Sequence, residues 1–549
     1  MCAPSPSAQP KAEPARRGKG GAEAQARGFA GPLPHSPFFP NLDRRNPLSA
    51  PARNAPGLGG ADSPQKQTGE PLMSRHTKEQ LTALLAPVGQ EHLLRFWDAL
   101  APQEQDALGD QITSINWTEV LSWYRQVQGA NDDAIPFGRL APAPYLPLVP
   151  ETPEQEELYR NARRKGEELL RQGKVAGFTV AGGQGTRLGY DGPKGTYRFS
   201  PLRNKALFQY FAEGILRNME KYGCVLPWYV MTSPANHQAT LDFFQENAFF
   251  GLAPENVRFF IQGQLPGFDQ QGKALLEAPG KLALFANGHG GTLAALRDSG
   301  ILDDMEKRGV EYLSYWQVDN PMVTLFDPLF LGLHCLTGSQ MSSRALIKRD
   351  PMEKLGHFCQ LEGKTLIVEY SDMPGELLHQ TDSQGRLTFR AGSPAIHVIS
   401  REFIRQLTKG TLALAPHRAL KKIPYVAPDG SLVTPDAPNG IKLEFFIFDA
   451  LPFAHAPLIL EADRQEQFAA IKNAQGSDSP DSCRRDLQER WARWLHLAGV
   501  EVPRKADGSL DATLELSPRR AICPQDVQEL VAEGRIPRQW TPGTTFALD

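Results

Sequence analysis

Between residues 78 and 127 the apolar positions Leu81, Leu84, Leu85, Leu93, Leu94, Phe96 and Trp97 recur at helical spacing, with Glu and Gln between them. This predicts a helical N-terminal region. A Pro-rich passage over 141–153 carries the chain into a further helix over 154–171, and then the period changes. Residues 175–180, Val-Ala-Gly-Phe-Thr-Val, read as a buried strand. Short apolar runs at 228–231, 257–261, 312–318 and 345–347 predict more strands, alternating with helices near 207–222 and 293–308. Such alternation implies a mixed α/β sheet. Past about 474 come a turn-rich stretch, a helix over 481–498 and an alternating segment at 510–516, which predict a small C-terminal α+β domain. No internal repeat is apparent.

Residues 1–72 break this pattern. Their Pro, Ala, Gly and charged composition offers too few apolar groups to offset the ordering entropy, so a disordered extension is expected. An organellar transit peptide is the alternative, opposed by Glu13, Glu23, Asp43 and Glu70. The patterned chain begins right after Met73, which is expected to be the true start codon. With 549 residues, several folded units are expected. The boundaries fall at 1–72 for the extension, 73–172 for the helical region, 173–475 for the α/β domain and 476–549 for the C-terminal domain.

Charge and cysteine content narrow the function classes. Fifty-nine basic and 62 acidic side chains leave a net charge of -3, which argues against general affinity for nucleic acid or an anionic membrane. The six cysteines are dispersed, with no metal-ligand spacing, and fit a reducing cytosol. No run reaches the roughly 18 apolar residues of a membrane span, and no secretory h-region opens the chain. A cytoplasmic protein is expected.

The candidate chemistry sits after the 175–180 strand. Val180-Ala-Gly-Gly-Gln-Gly-Thr-Arg-Leu-Gly189 carries four glycines that let the backbone fold around a ligand and aim N–H groups at phosphate oxygens. It is not a Walker A loop, and Leu188 stands where GxGxxG needs its third glycine. Arg187 within the loop and Lys194 in Pro193-Lys194-Gly195 add two cations suited to a triphosphate. A solvated Gly-rich turn is the bland alternative.

These motifs resemble the eukaryotic-type UDP-sugar pyrophosphorylases (UDPGP type 1), above all those acting on N-acetylglucosamine. The resemblance continues in order through Gln262-Gly-Gln-Leu-Pro266, Gly288-His-Gly-Gly291, Val318-Asp-Asn320, Val368-Glu-Tyr-Ser371, Lys422-Ile-Pro-Tyr425, Asn439-Gly-Ile-Lys442 and Lys472-Asn-Ala474. It implies a Rossmann-like, GT-A-like nucleotidyltransferase domain that joins UTP and a sugar 1-phosphate with Mg²⁺, releasing pyrophosphate. The attacking phosphate oxygen is already an anion, so the reaction needs cations rather than a general base.

By the resemblance, Ala181, Gly182 and Gly183 pack against uracil and ribose, Arg187 meets the β- and γ-phosphates, and Lys194 the α-phosphate. Lys442 and Lys472 line the phosphate site, Gln262 and Gly288 contact uridine, and Asp319 holds Mg²⁺. Gly356, Glu369 and Tyr370 belong to the sugar side. An ion pair is the bland alternative for Arg187 and Lys194, and a turn cap for Asp319.

Two sugar-facing positions depart from the N-acetylglucosamine enzymes, where asparagine is usual: His289, and Ser393 in Ala391-Gly-Ser-Pro394. Gly-His-Gly resembles the UDP-glucose pyrophosphorylases instead. His289 is expected either to donate to a sugar-phosphate oxygen or to bond backbone. N-acetylglucosamine 1-phosphate is the favoured substrate, with glucose 1-phosphate or broad sugar use as alternatives. A non-catalytic sugar-nucleotide sensor and an NAD-dependent oxidoreductase are the rivals from other classes. Oligomeric state is left open.

Overall fold

Alternation of side chains along four central strands decides the architecture. In β1 (Val175–Val180), β2 (Trp228–Thr232), β3 (Val257–Ile261) and β4 (Tyr312–Gln317), successive residues face opposite ways. Ala176, Phe178, Tyr229, Met231, Phe260, Leu313 and Tyr315 enter one core. Val175, Trp228, Val230, Val257 and Trp316 enter the other. Both faces of this parallel sheet are therefore covered.

The computed structural model describes residues 74–129 and 135–549. The expectations for 1–72 and Met73 lie outside the described residues. The four strands run in the order β4, β1, β2, β3, all parallel. Beyond β4 the sheet turns antiparallel at His397–Ser400 and continues through Met341–Ile347 and Ala391–Ser393 to Gly356–Leu361. Leu458–Glu461 joins Met341–Ile347 in parallel. The result is the mixed sheet that the periodicity predicts.

The N-terminal helices Lys78–Leu85, Pro102–Thr113 and Trp117–Gly129 share one core with β1 and β2 through Leu81, Leu85, Leu108 and Ile112. A capping box starts the first of them: Thr77 Oγ1 accepts from the Gln80 N–H, and the Gln80 side chain accepts from the Thr77 N–H. Helix Pro153–Arg171 lies in the other core with Leu207–Tyr222 and the C-terminal helices Pro480–Leu497 and Pro524–Ala532. Strands Ala512–Leu516 and Thr544–Leu548 pair in parallel, which gives the C-terminal segment its α+β character.

Two elements differ from the sequence expectation. The helix expected over 293–308 is two helices, Thr292–Asp298 and Ile301–Arg308, because Gly300 adopts φ +73° and breaks the run. The strand expected at 345–347 begins at Met341, since its polar half is buried rather than exposed. Ser342, Ser343 and Arg344 are buried there, and the Arg344 guanidinium pairs with Asp327 and lies 4.5 Å from the Phe330 ring.

Candidate functional site

All four parallel strands end on one edge of the sheet, and each hands over to a residue of interest. Ala181 follows β1, Ser233 follows β2, Gln262 follows β3, and Asp319 lies two residues beyond β4. The hydrogen-bond ladder carries on past the strand ends: the Ala181 N–H donates to Met231 O at 2.7 Å, Gln262 N–H to Thr232 O at 2.7 Å, and Val318 N–H to Val180 O at 3.1 Å. Ligands of open α/β sheets gather at such carboxyl ends.

The Gly-rich loop is held in shape by its own backbone and by Asn236. The Asn236 amide donates to Ala181 O at 2.9 Å and Gly183 O at 3.2 Å, while its oxygen accepts from the Ser233 N–H at 2.8 Å. Gly185 N–H donates to Gly192 O at 2.9 Å, and Lys194 N–H to Gly183 O at 3.0 Å. The lysine is thus pinned to the loop through its backbone. Gly183 is exposed on this turn and Gly182 is half-buried against Gln262 and Ser233. Arg187 is exposed and, among the described residues, its guanidinium has neither hydrogen bond nor ion pair. The surface ion-pair alternative does not describe it.

Gln262 joins β3 to the 287–291 turn. Its amide donates to Gly288 O at 2.7 Å, and its Oε1 lies 3.0 Å from where a Cβ on Gly182 would stand. The turn crosses the 444–447 segment backbone to backbone: Gly290 N–H donates to Phe445 O at 2.7 Å, and Phe445 N–H to Asn287 O at 2.9 Å. Gly288 adopts φ +78°, and a Cβ there would meet Phe445 O at 2.3 Å. Only glycine fits both the turn and the crossing.

His289 meets the second of its two expectations, the bond to backbone. Its Nδ1 accepts from the Ile447 N–H at 3.1 Å, so one nitrogen is bonded to backbone. The ring stacks on Phe446 at 5.3 Å, and burial lowers its pKa to about 4. A neutral imidazole that accepts at Nδ1 carries its proton on Nε2, which remains a donor.

Gly356 and Ser393 lie on adjacent strands, and Glu369 comes beside them just after the strand Lys364–Val368. Gly356 pairs with Ser393, and a Cβ on Gly356 would lie 3.4 Å from Glu369 Oε1. Tyr370 is exposed. Burial raises the Glu369 pKa, and the charges of Asp372 and Asp449 raise it further. Sequence reasoning missed the partner of this acidic group, His417, whose Nε2 lies 2.7 Å from Asp449 Oδ2 and whose ring lies 4.6 Å from Phe446. Burial lowers the His417 pKa, but the Asp449 hydrogen bond and the charges of Asp449, Asp372 and Glu369 together raise it. The signal was faint: a histidine five residues before Lys422-Ile-Pro-Tyr425.

Asp319 and Lys472 are tied together from the far side. Asp319 O accepts from the Ile471 N–H at 2.8 Å, and Asn320 binds the 467–469 segment through Gln467 O at 2.8 Å and the Ala469 N–H at 3.1 Å. Lys472 Nζ lies 5.6 Å from the Phe468 ring. Lys442 lies on the strand Gly440–Glu444 of a separate three-stranded sheet, with its Nζ 2.6 Å from Glu444 Oε1.

The Asp319 carboxylate is buried, and among the described residues it accepts no hydrogen bond; the nearest cation is Lys194 Nζ at 3.9 Å. That spacing is too long for a direct hydrogen bond. Among the described residues no three His, Cys, Asp or Glu side chains gather as a metal cage. A single carboxylate that accepts no hydrogen bond and is only loosely paired with Lys194 fits a magnesium ion whose remaining ligands are water and substrate phosphates.

A family model described as UTP–glucose-1-phosphate uridylyltransferase matches residues 147–477. The UDP-N-acetylhexosamine pyrophosphorylase-like protein 1 of Homo sapiens is 39% identical over 440 residues, covering 77% of this chain and 86% of that protein. The UDP-N-acetylglucosamine pyrophosphorylase of Saccharomyces cerevisiae is 34% identical over 441 residues, covering 76% and 91%. Among solved structures, the uridine diphosphate N-acetylglucosamine pyrophosphorylase of Trypanosoma brucei, in complex with an inhibitor, superposes with a TM-score of 0.73 at 25% identity over 87% of this chain and 99% of that one.

Proposed function

Since the chain belongs to the UTP–glucose-1-phosphate uridylyltransferase family of UDP-sugar pyrophosphorylases, we propose that it joins UTP and N-acetylglucosamine 1-phosphate, giving UDP-N-acetylglucosamine and pyrophosphate. It is a nucleotidyltransferase, and its relatives named for N-acetylglucosamine cover most of its length. The observation that carries the site is the convergence of Ala181, Gln262 and Asp319 at one sheet edge, with Lys194 pinned beside them and Arg187 unengaged.

Uracil lies against Ala181 and Gly182, where Gln262 Oε1 accepts from its ring N–H. Arg187 and Lys194 neutralise the triphosphate, so that the sugar-phosphate oxygen can approach the α-phosphorus in line. Lys472 faces the same phosphates from the 471–474 segment, and Lys442 joins them by leaving Glu444. Asp319 would hold Mg²⁺, which supplies positive charge to the phosphates when bound. Glu369 accepts from sugar hydroxyls beside Gly356, Tyr370 and Ser393, and His289 Nε2 donates toward the sugar phosphate. We place the protein in the cytoplasm; the described cysteines are all free, as in a reducing compartment, and no described helix is long and apolar enough to cross a membrane.

Glucose 1-phosphate is the second reading, favoured by His289 and by the shorter Ser393 in place of asparagine. Pyrophosphate release from UTP with each sugar 1-phosphate decides between them. A kcat/KM at least about tenfold higher for the N-acetylated substrate is expected, roughly the discrimination that one pocket contact gives. Equal or greater turnover with glucose 1-phosphate would reverse the preference. Binding of UTP without turnover on any sugar 1-phosphate would leave a sensor.

A further inference from the structure

The segment that follows Lys194 is gripped by the C-terminal α+β segment. Glu515, on strand Ala512–Leu516, is 1% exposed, and its Oε2 accepts from the Leu202 N–H at 2.6 Å and the Arg203 N–H at 2.8 Å. Nearby, Arg484 Nε donates to Phe199 O at 2.7 Å, and Lys205 Nζ to Ser517 Oγ at 3.0 Å and Glu213 Oε2 at 2.7 Å. A carboxylate that accepts two backbone N–H groups fixes the turn between them in position and direction.

From that turn a continuous hydrogen-bonded path runs back to the Gly-rich loop. Phe199 N–H donates to Lys205 O at 2.9 Å, Leu207 N–H to Tyr197 O at 3.1 Å, Tyr197 N–H to Lys194 O at 3.0 Å, and Lys194 N–H to Gly183 O at 3.0 Å. Side chains brace the same path: Tyr190 Oη lies 2.7 Å from Thr196 Oγ1, and the Tyr190 and Tyr197 rings meet edge to face at 5.5 Å. Lys194 is therefore held between the Gly-rich loop on one side and a clamp from the C-terminal segment on the other.

We propose that Glu515 is a positioning residue for Lys194, setting the reach of its ammonium from more than three hundred residues downstream in the sequence. The proposal rests on the reading of Lys194 as the cation at the reacting phosphates. Arg203 is exposed and Leu202 only half-buried, so the turn that Glu515 holds lies at the surface and not in the core. Loss of the carboxylate then slackens the turn while the fold survives. Misplacing a catalytic group by about an ångström costs on the order of a hundredfold in rate, and that loss falls on kcat when substrate binding is intact.

The test uses the full chain and initial rates with UTP and N-acetylglucosamine 1-phosphate for Glu515→Leu, Glu515→Gln, Lys194→Met and the Glu515→Leu/Lys194→Met pair. Glu515→Leu is expected to lower kcat by about 10- to 100-fold while KM for UTP stays within about threefold. Glu515→Gln keeps an acceptor oxygen for the turn and is expected to recover most of that loss. In the pair, adding Glu515→Leu to Lys194→Met should cost nothing further, because both changes act through one ammonium. A lowered melting temperature with unchanged kcat, or losses that multiply in the pair, would overturn the proposal. Full turnover by Lys194→Met would overturn the reading of Lys194 beneath it.

Discussion

Glu369 and His417 share one acidic neighbourhood, and their titrations move the same way for different reasons. Glu369 is raised by burial first and then by Asp372 and Asp449, so in the folded protein it takes up a proton at a higher pH than an ordinary carboxylate. His417 is raised because Asp449 outweighs burial. Its contribution to stability is fully present below the ordinary value of 6.5 and is lost as pH rises through the raised one. Glu369 acts with the same sign: its charged form costs stability, and that cost disappears as pH falls through its raised pKa. On the proposed reading of Glu369 as a sugar acceptor, its protonated form offers one acceptor fewer to the sugar hydroxyls. The KM for the sugar 1-phosphate should therefore climb on the acid side while the KM for UTP stays level. Glu369→Gln should flatten that climb and raise KM at neutral pH by about tenfold, the worth of one hydrogen bond to a charged group. Steady-state kinetics between pH 5 and 8 check this, and an unchanged acid limb in the variant would remove Glu369 from the sugar side.

Two turns of similar composition behave differently at the level of the element. At Gly288 the backbone is left-handed and a Cβ would collide with Phe445 O, so Gly288→Ala should destabilise the protein by about 2 kcal/mol and loosen the crossing that seats Gln262 and His289. At Gly183 a Cβ would meet nothing within 4 Å. Gly183→Ala should leave stability within about 0.5 kcal/mol and raise KM for UTP, because the added methyl would stand where we propose the nucleotide packs. Urea melts and UTP kinetics on the two variants separate these effects, and a Gly183→Ala enzyme with normal KM would place the nucleotide elsewhere. Both glycines stand in motifs the sequence shows, but the structural need for glycine at Gly288 was not legible there. The collision at Gly288 comes from a segment more than 150 residues away in the chain, which local sequence does not encode. The same limit explains the strand at 341–347, whose buried Ser342, Ser343 and Arg344 read as surface until Asp327 and Phe330 are beside them. The parallel quartet, by contrast, was written as short apolar runs, because strands covered on both faces need nothing else.

The site as a whole is assembled from segments the chain delivers separately, and this makes nucleotide selectivity a property of the molecule. Gln262 follows β3, yet its amide group is turned by Gly288 O, and the 287–291 turn is held against the 444–447 segment. With Nε2 committed to Gly288, the oxygen alone is left toward Gly182, an acceptor that suits the ring N–H of uracil and faces only another acceptor at the same position of cytosine. UTP with Mg²⁺ should therefore raise the melting temperature, with a stabilisation of about 2.7 kcal/mol at a hundredfold excess over its Kd, whereas CTP at the same concentration should give little. Gln262→Leu should shrink the UTP effect toward that of CTP, since a buried acceptor matched to one donor discriminates by about 1–3 kcal/mol. Differential scanning fluorimetry across nucleotide concentrations checks this. Equal stabilisation by UTP and CTP in the unaltered protein would mean that the phosphates are gripped while the base is not read, and the triphosphate cradle would then stand without its uracil pocket.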